Sequence, residues 1–438
     1  MLFLSTFLAC NQYEYFNIAG YEQADFSNKA DILFVIDNSS SMRDEAVALG
    51  ENFSTFINIL TSEEGATEST ENLDDAVDAF VSSVTERGKY IDYQLAITTT
   101  SVDYTNQPTS GIDPGEAGLL LGEPPVIDKY DPTVNTTFRK NLFCEATYWE
   151  RNSLPSGEGY VCGDDTDEIS QAYLDCLCDN TDWDGRAGSG NEEPLEAALL
   201  AMCRAAPEPP EICNEPISPY PGSEDLTNDG LLRENSTAVI VIVGDEGDNS
   251  RRMQQGMEDP SPYLDAFAQF DRRVRIVTIG PNYDEATGDF SCNSGGARTW
   301  MVERLRAASE ETQGFFRPLE VKDSEGNCQI ADFSGHLEDL GALLNSLETS
   351  FQLRSVPDVT TIQVYVDGEE APASPILNAE EYELNPDEVT PNYGDGWSYS
   401  SAENAVVFWG TAIPDYESDV RIYYRPIGGT PRELPFSY

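Results

Sequence analysis

Four runs of apolar residues constrain this chain more than anything else in it: DILFVID (Asp31–Asp37), YQLAITTT (Tyr93–Thr100), STAVIVIVGD (Ser236–Asp245) and RRVRIVTIG (Arg272–Gly280). DILFVID is apolar at consecutive positions, not alternate ones, YQLAITTT and STAVIVIVGD read as further buried strands, and RRVRIVTIG reads as a fourth strand. A strand with one wet face alternates, whereas a strand apolar throughout is buried on both faces, as in a parallel sheet covered by helices. Helical patterns lie between and around these runs. Asp44–Leu60 puts Val47, Phe53, Phe56, Ile57 and Leu60 on one stripe, and Asp74–Val84, Glu192–Ala206, Pro262–Phe270, Arg298–Gly314 and Gly335–Phe351 read as further helices. FFRPL reads as a short edge strand. Strand–helix alternation of this kind predicts an α/β fold: a doubly wound, mainly parallel sheet with helices on both faces.

Two segments break the rhythm. Residues 102–190 are rich in Gly, Pro, Asp and Thr and hold four cysteines, so they read as an insertion held by disulfides. From about Val356 the pattern becomes short alternating strands separated by turn residues, which predicts a small all-β, sandwich-like module over 356–438. The domain plan is then 31–350 for the α/β domain, with that module after it and a polar tether at 11–30 before it. A length of 438 residues is too great for one ordinary core and agrees with this plan.

The chain carries 79 acidic against 25 basic residues, a formal net charge of −54. Such a field repels nucleic acid and anionic lipid head groups and attracts divalent cations. The acid is dispersed, so most of it reads as solvated surface.

Residues 1–10, MLFLSTFLAC, are apolar and end in a small residue before a cysteine. This resembles the signal peptide of bacterial lipoproteins, with Leu8 and Ala9 in its last two positions and Cys10 as the lipidated first residue of the mature chain. Phe7 stands where leucine is usual, and no Lys or Arg precedes the run. An ordinary secretory signal is the other reading. The run is far short of the roughly 20 apolar residues that a spanning helix needs. Setting Cys10 aside leaves Cys144, Cys162, Cys176, Cys178, Cys203, Cys213, Cys292 and Cys328, enough for four disulfides in an oxidising compartment. Cys203 with Cys213 would close the Pro-rich segment after a helix, and Cys292 with Cys328 would tie two late loops together. A zinc site has little to stand on, with Cys176 and Cys178 as the one close pair and His336 as the sole histidine.

In an open parallel sheet, ligands sit beyond the carboxyl ends of the strands, at the topological switch point. Asp37 and Asp245 each end an apolar run, so both belong to that edge. Ser39 and Ser41 follow Asp37 at alternate positions, which aims both hydroxyls the same way. Carboxylates and hydroxyls together suit a hard cation such as Mg²⁺.

DNSSS (Asp37–Ser41) matches the DxSxS motif of the von Willebrand factor A domain family, and VIVGD, ending at Asp245, matches its second carboxylate. The resemblance spans roughly residues 30–350. The blocks GSGNEEPLEAALLAM, NDGLLREN and VGDEGDNS are similar to those of A-domain lipoproteins from myxobacteria and related bacteria. It implies a metal-ion-dependent adhesion site in which Ser39 and Ser41 hold the ion directly and Asp37 and Asp245 hold it directly or through water. One position stays open for a partner's carboxylate. The family also supplies a threonine from the loop before the next helix, and here that loop, GRAGSGNEEPLEA, contains none. Glu192 is the first candidate to replace it and Ser189 the second, while a helix N-terminal acid is the structural alternative for Glu192. A further carboxylate would favour Ca²⁺ over Mg²⁺ and weaken the pull on a partner's acid. Asp248 is a candidate for support behind the ligands.

NTDWDG (Asn180–Gly185) and DLTNDG (Asp225–Gly230) have the rhythm of calcium loops but lack the closing acid, so solvated turns are the plainer reading. No nucleophile elbow, phosphate loop or zincin motif occurs. Trp397, Trp409, Tyr423 and Tyr424 offer a glycan-binding surface or, more simply, a hairpin core. The expectation is a binding protein, not an enzyme, exported to the cell envelope as an outer-membrane lipoprotein or secreted. It would meet the membrane through its lipid anchor alone and grip a protein or surface polymer through Mg²⁺ or Ca²⁺. The alternatives are a scaffold component of an envelope complex and, further off, a polysaccharide hydrolase.

Overall fold

The computed structural model describes residues 22–25, 29–42, 92–102, 115–129, 131–150, 170–178, 187–214, 227–234, 236–253, 256–270, 272–284, 287–292, 297–331 and most of 335–427. The helices expected at Asp44–Leu60 and Asp74–Val84, the signal segment with Cys10, Cys162 and the Asn180–Gly185 loop lie outside these residues. The chain divides into a larger unit, Lys29–Ser83 with Asp92–Leu343, and a smaller one, Met1–Asn28, Val84–Ile91 and Leu344–Tyr438.

Strand β1 (Glu22–Asp25) belongs to the smaller unit. The larger unit is built on a six-stranded sheet of β2 (Lys29–Ile36), β3 (Asp92–Thr99), β4 (Val126–Asp128), β5 (Thr237–Val243), β6 (Val274–Gly280) and β7 (Phe316–Pro318). Their order across the sheet is β4-β3-β2-β5-β6-β7, and every pairing is parallel except β3 with β4. The four apolar runs of the sequence are therefore the four central strands. β3 flanks β2 on one side and β5 flanks it on the other, so the order reverses between β2 and β5.

The register sorts the side chains. Leu33, Val35, Ala96, Ile240, Ile242 and Ile276 share one face. That face packs against helix residues from α3 (Pro194–Ala205), α4 (Ser261–Phe267) and α5 (Thr299–Glu311). Helix α1 (Val134–Lys140) covers the other face through Phe138, whose ring lies 5.1 Å from that of Phe34 in an edge-on contact. Helix α2 (Gln171–Leu177) lies in the same insertion. Burying a large aliphatic side chain contributes about 1.5–3 kcal/mol, and all five residues Ile32–Ile36 are at most 3% exposed, so β2 alone anchors the unit. The fold is α/β, with a mostly parallel sheet carrying helices on both faces.

The amino-end rim of the sheet is locked by charge. The Arg233 guanidinium donates to Asp31 at 2.7 Å and to Asp92 at 2.6 Å, and Arg272 stands 3.7 Å from Asp31. Asp31 is 1% exposed, and burial raises its pKa against the lowering pull of Arg233 and Ser236.

The segment read as an insertion does more than hang from the fold. It supplies the antiparallel edge strand β4, the covering helix α1, a π turn at Asn141–Glu145 and the fully buried Ala117. Cys144 bonds Cys178 within it, and Cys176 is also disulfide-bonded. The expected Cys203–Cys213 and Cys292–Cys328 bonds both form. β8 (Glu320–Lys322) and β9 (Cys328–Ile330) make a hairpin.

The smaller unit holds two antiparallel sheets. One is ordered β1-β15-β11-β12, from β11 (Gln363–Val366), β12 (Glu369–Glu370) and β15 (Val420–Tyr424). The other is ordered β10-β14-β13, from β10 (Ser350–Gln352), β13 (Gly396–Ser400) and β14 (Ala405–Trp409). Phe351, Val364, Val406, Phe408, Ile422 and Tyr424 share its core. Two readings change here. The end of the tether at 11–30 is β1, paired with β15. The helix read as running to Phe351 cannot extend so far, because Ser350–Gln352 pair with β14. Among the described residues, no helix is long and apolar enough to cross a membrane.

Candidate functional site

The carboxyl ends of β2 and β5 meet at the point where the sheet order reverses. The Asp37 amide donates to the Val243 carbonyl at 2.9 Å, so the chain leaving β2 leans across the end of β5. The Asp37 carboxylate then accepts from the Ser39 amide at 2.8 Å, which turns the loop into the single 3₁₀ turn Ser40–Met42. That turn brings the Ser39 and Ser41 hydroxyls to 2.7 Å of each other, and Ser41 donates to Asp245 Oδ1 at 3.2 Å. Asp37, Ser39, Ser41 and Asp245, four residues singled out from the sequence, thus stand on one rim.

Asp37 Oδ2 and Asp245 Oδ2 are buried and have no hydrogen-bond partner. Gly244 makes room for the first: a β-carbon at that position would lie 3.2 Å from Asp37 Oδ2 and 2.9 Å from Asp37 Cβ.

A third loop, Ala187–Glu193, closes over the rim. Its Gly188 amide donates to the Asn38 carbonyl at 2.8 Å, and the Ser189 amide donates to Ser101 Oγ at 2.9 Å. Ser101 Oγ in turn donates to Asn38 Oδ1 at 2.9 Å. Glu193 N donates to the Thr100 carbonyl at 3.0 Å, and Asn249 N donates to the Glu192 carbonyl at 2.9 Å. The loop therefore ties the ends of β2, β3 and β5 together. At Gly188 a β-carbon would fall 1.9 Å from Asn38 Oδ1, so glycine is required for this approach.

Glu192, on this loop, is 2% exposed, and neither of its carboxylate oxygens has a hydrogen-bond partner. Burial, the facing Glu246 and the charge of Asp37 push its pKa up to about 11. Burial and then Asp245 push Asp37 well above the ordinary carboxylate range. Burial also raises Asp245, with the Ser41 hydrogen bond opposing it and Glu246 adding to it. The Ser189 hydroxyl, on the same loop, accepts from the Asn191 amide at 3.1 Å.

Asp248 lies in the loop after β5. It is fully buried and paired with Arg304 at 2.8 Å, and Arg304 also donates to the Met257 carbonyl at 2.7 Å. Asp248 Oδ1 accepts from the Leu195 amide, and Ser250 Oγ accepts from the Glu196 amide. These bonds satisfy free donors in the first turn of α3, where Pro194 has none to offer. Arg251 holds Glu193 and Arg252 holds Glu196, each at 2.8 Å. The loop after β5 is thereby riveted to α3, and the rivets explain why Asp245 and Glu192 stay together.

The donor set suits a divalent cation. It combines two adjacent hydroxyls with buried carboxylate oxygens that nothing in the protein satisfies, and such oxygens are costly to leave bare. Among the described residues, no group of three or more His, Cys, Asp or Glu side chains is placed to hold a metal ion.

Sequence reasoning passed over two members of this rim. Glu246 faces Glu192, and Thr100 Oγ1 is buried with no partner at the end of β3. The position of each just beyond an apolar run was the available signal. Of the remaining candidates, Asn228 is buried, with its amide nitrogen on the Gly118 and Ala201 carbonyls, so Thr227–Gly230 is a core-knitting turn. His336 rests against the Pro318 carbonyl at 2.9 Å. In the smaller unit, Trp397 and Trp409 donate to Ala371 O and Ser398 Oγ, and Tyr424 is fully buried, as a hairpin core requires.

No family model matches the chain, and no curated protein matches it. Among solved structures, the crystal structure of the human COPII-coat protein Sec24c aligns at 9% identity and a TM-score of 0.29, covering 94% of this chain and 42% of that one. The chain thus spans less than half the length of that neighbour, and a likeness at this score carries no argument.

Proposed function

We propose that this chain is an exported binding protein of the von Willebrand factor A type. In this reading Asp37, Ser39, Ser41 and Asp245 hold Mg²⁺ or Ca²⁺, and the cation-bearing rim contacts a protein or surface polymer. The observation that carries it is the pair of buried, partnerless oxygens, Asp37 Oδ2 and Asp245 Oδ2, beside the Ser39–Ser41 hydroxyl pair. A cation there would satisfy those oxygens and offer an electrophilic face to a ligand.

The disulfides fit an oxidising compartment, and Cys10 would carry the lipid that retains the protein at the envelope. Immobilised protein challenged with soluble envelope proteins in Ca²⁺, in Mg²⁺ and in EDTA tests the reading. Retention of a defined partner that is lost in EDTA and in the Ser39→Ala, Ser41→Ala double variant supports it. Retention unchanged by both treatments refutes it.

A further inference from the structure

We infer that the apolar end of the smaller unit, formed by Val356, Val359 and Ile427, is a lipid-contact surface that seats on the bilayer beside the anchored Cys10. The chain then meets the membrane at two places, its lipid and this patch. This rests on the lipid anchor of the proposed function and is independent of the cation site.

Among the described residues, the large hydrophobic side chains that stand exposed are Val356, Val359, Leu377, Leu384 and Ile427, all in the smaller unit. Three of them lie together, with Val356 57%, Val359 51% and Ile427 69% exposed. After β15 the chain runs on through Pro426, which bridges Pro357 in antiparallel fashion, and the Ile427 amide donates to the Val356 carbonyl at 2.8 Å. Val356 and Ile427 are thus directly opposed. Side chains opposed across antiparallel strands share one face, with β-carbons about 4.5–5.5 Å apart. Val359 opens the 3₁₀ turn Val359–Thr361 just beyond, held to the same strand by the Asp358 amide on the Arg425 carbonyl at 2.7 Å. Exposed aliphatics scattered singly are ordinary, whereas a group of them at one strand end marks a contact surface.

The anchor enters at the same end. β1 runs antiparallel to β15 with Glu22 opposite Tyr424, so β1 begins at the end of the sheet where Arg425–Ile427 lie. Residues 11–21 reach at most about 40 Å when fully extended, so a lipid on Cys10 keeps that end of the sheet within this distance of the bilayer. Held so close, the patch meets the surface at an effective concentration that a free protein does not reach. Membrane binding strengthens with the apolar area buried, and stable anchoring takes two signals. Charge selects the kind of bilayer. Asp358 and Arg425 are opposed on the same face as Val356 and Ile427, so the margin of the patch is balanced. The net charge of −54 on the whole chain repels anionic head groups, which favours a zwitterionic surface.

The test places a tryptophan at the patch and reads its contact with lipid. The full chain, expressed in a bacterium and purified with its lipid, carries Ile427→Trp and is set on phosphatidylcholine vesicles with or without bromine on the acyl chains, which quenches an indole on contact. Ile427→Trp should lose emission on the brominated vesicles relative to the wild type, and adding Val356→Ser and Val359→Ser should restore it. Glu369→Trp, exposed at the far end of the same sheet, should lose none. An Ile427→Trp signal that is unquenched, or quenched no more than that of Glu369→Trp, overturns the inference. So does shielding of the Ile427→Trp indole from a water-soluble quencher before vesicles are added, because another part of the chain or a second copy then covers the patch. In these cases the anchor stands if the wild type partitions into detergent and Cys10→Ser into water. A wild type that partitions into water as Cys10→Ser does removes both.

Discussion

Replacing Asp37 with asparagine should make the cation-free protein more stable, which is the opposite of what most buried substitutions do. Asp37 Oδ1 accepts from the Ser39 amide, and an asparagine oxygen can keep that bond. Asp37 Oδ2 is buried and partnerless beside Asp245, whose Oδ2 is partnerless as well. An amide nitrogen in that place can donate to Asp245, so one repulsion becomes one hydrogen bond. A bare buried acceptor costs about 1–3 kcal/mol, and a hydrogen bond to a charged group contributes about 1.5–3 kcal/mol. Even half of that gain leaves about 2 kcal/mol. For a unit of this size, that raises the melting temperature by roughly 3 °C.

The assay is thermal unfolding of both proteins in EDTA and in excess Ca²⁺, from pH 5 to 8. Asp37, Asp245 and Glu192 bind protons more tightly folded than unfolded, because burial raises all three. Folding therefore takes up protons, and the stability of the cation-free wild type falls as pH rises from about 4, by up to about 1.4 kcal/mol per pH unit per group. The asparagine variant has one such group fewer and a shallower slope. Calcium should restore the wild type, by about 2.7 kcal/mol at a hundredfold excess over Kd, and should leave the variant nearly unchanged. A variant that melts lower than wild type in EDTA, or that gains as much from Ca²⁺, refutes this reasoning.

The rivets behind the site give further expectations. Arg304→Met strands the fully buried Asp248 and should cost about 3–5 kcal/mol in urea unfolding; a loss under about 1 kcal/mol would show that the pair does not hold the loop. Gly188→Ala places a carbon 1.9 Å from Asn38 Oδ1 and should weaken Ca²⁺ about tenfold in calorimetry, since the loop carrying Glu192 must lift; unchanged affinity would detach that loop from the site. Reducing Cys203–Cys213, which closes a short loop of sequence separation 10, should cost about 2–3 kcal/mol by chemical denaturation, with little change in Ca²⁺ uptake.

The central strands were legible because burial on both faces forces apolar residues at successive positions; β2 and β5 carry that mark most fully, while β3 and β6 are interrupted by the buried Gln94, Thr98, Arg275 and Thr278. The meeting of Asp37 with Asp245 followed from it, since parallel strands end on one rim. What stayed hidden depends on partners distant in sequence. β4 is a three-residue antiparallel edge strand within a Gly- and Pro-rich stretch, and only its pairing with β3 makes it a strand. β1 needs β15, almost 400 positions away, to be anything but a polar tether. The pattern that suggested a helix to Phe351 continues unbroken through Ser350–Gln352, and only pairing with β14 ends it. Asp248 looked like a support for metal because it stands near Asp245 in sequence; its ion-pair partner, Arg304, lies 56 residues on. Glu192 was legible as an acid on the loop before α3, but the burial of its carboxylate was not, because solvation is a property of the packed loops.

Direct titration of Ca²⁺ and Mg²⁺ into metal-free protein, side by side with the Ser39→Ala, Ser41→Ala double variant, bears on the whole account at once. One ion per chain should enter the wild type, with release of protons that grows fewer as pH is raised, and none should enter the variant at the same concentrations. Matching isotherms for the two proteins, or no heat from either, would mean that the oxygens gathered at the ends of β2 and β5 serve some other end.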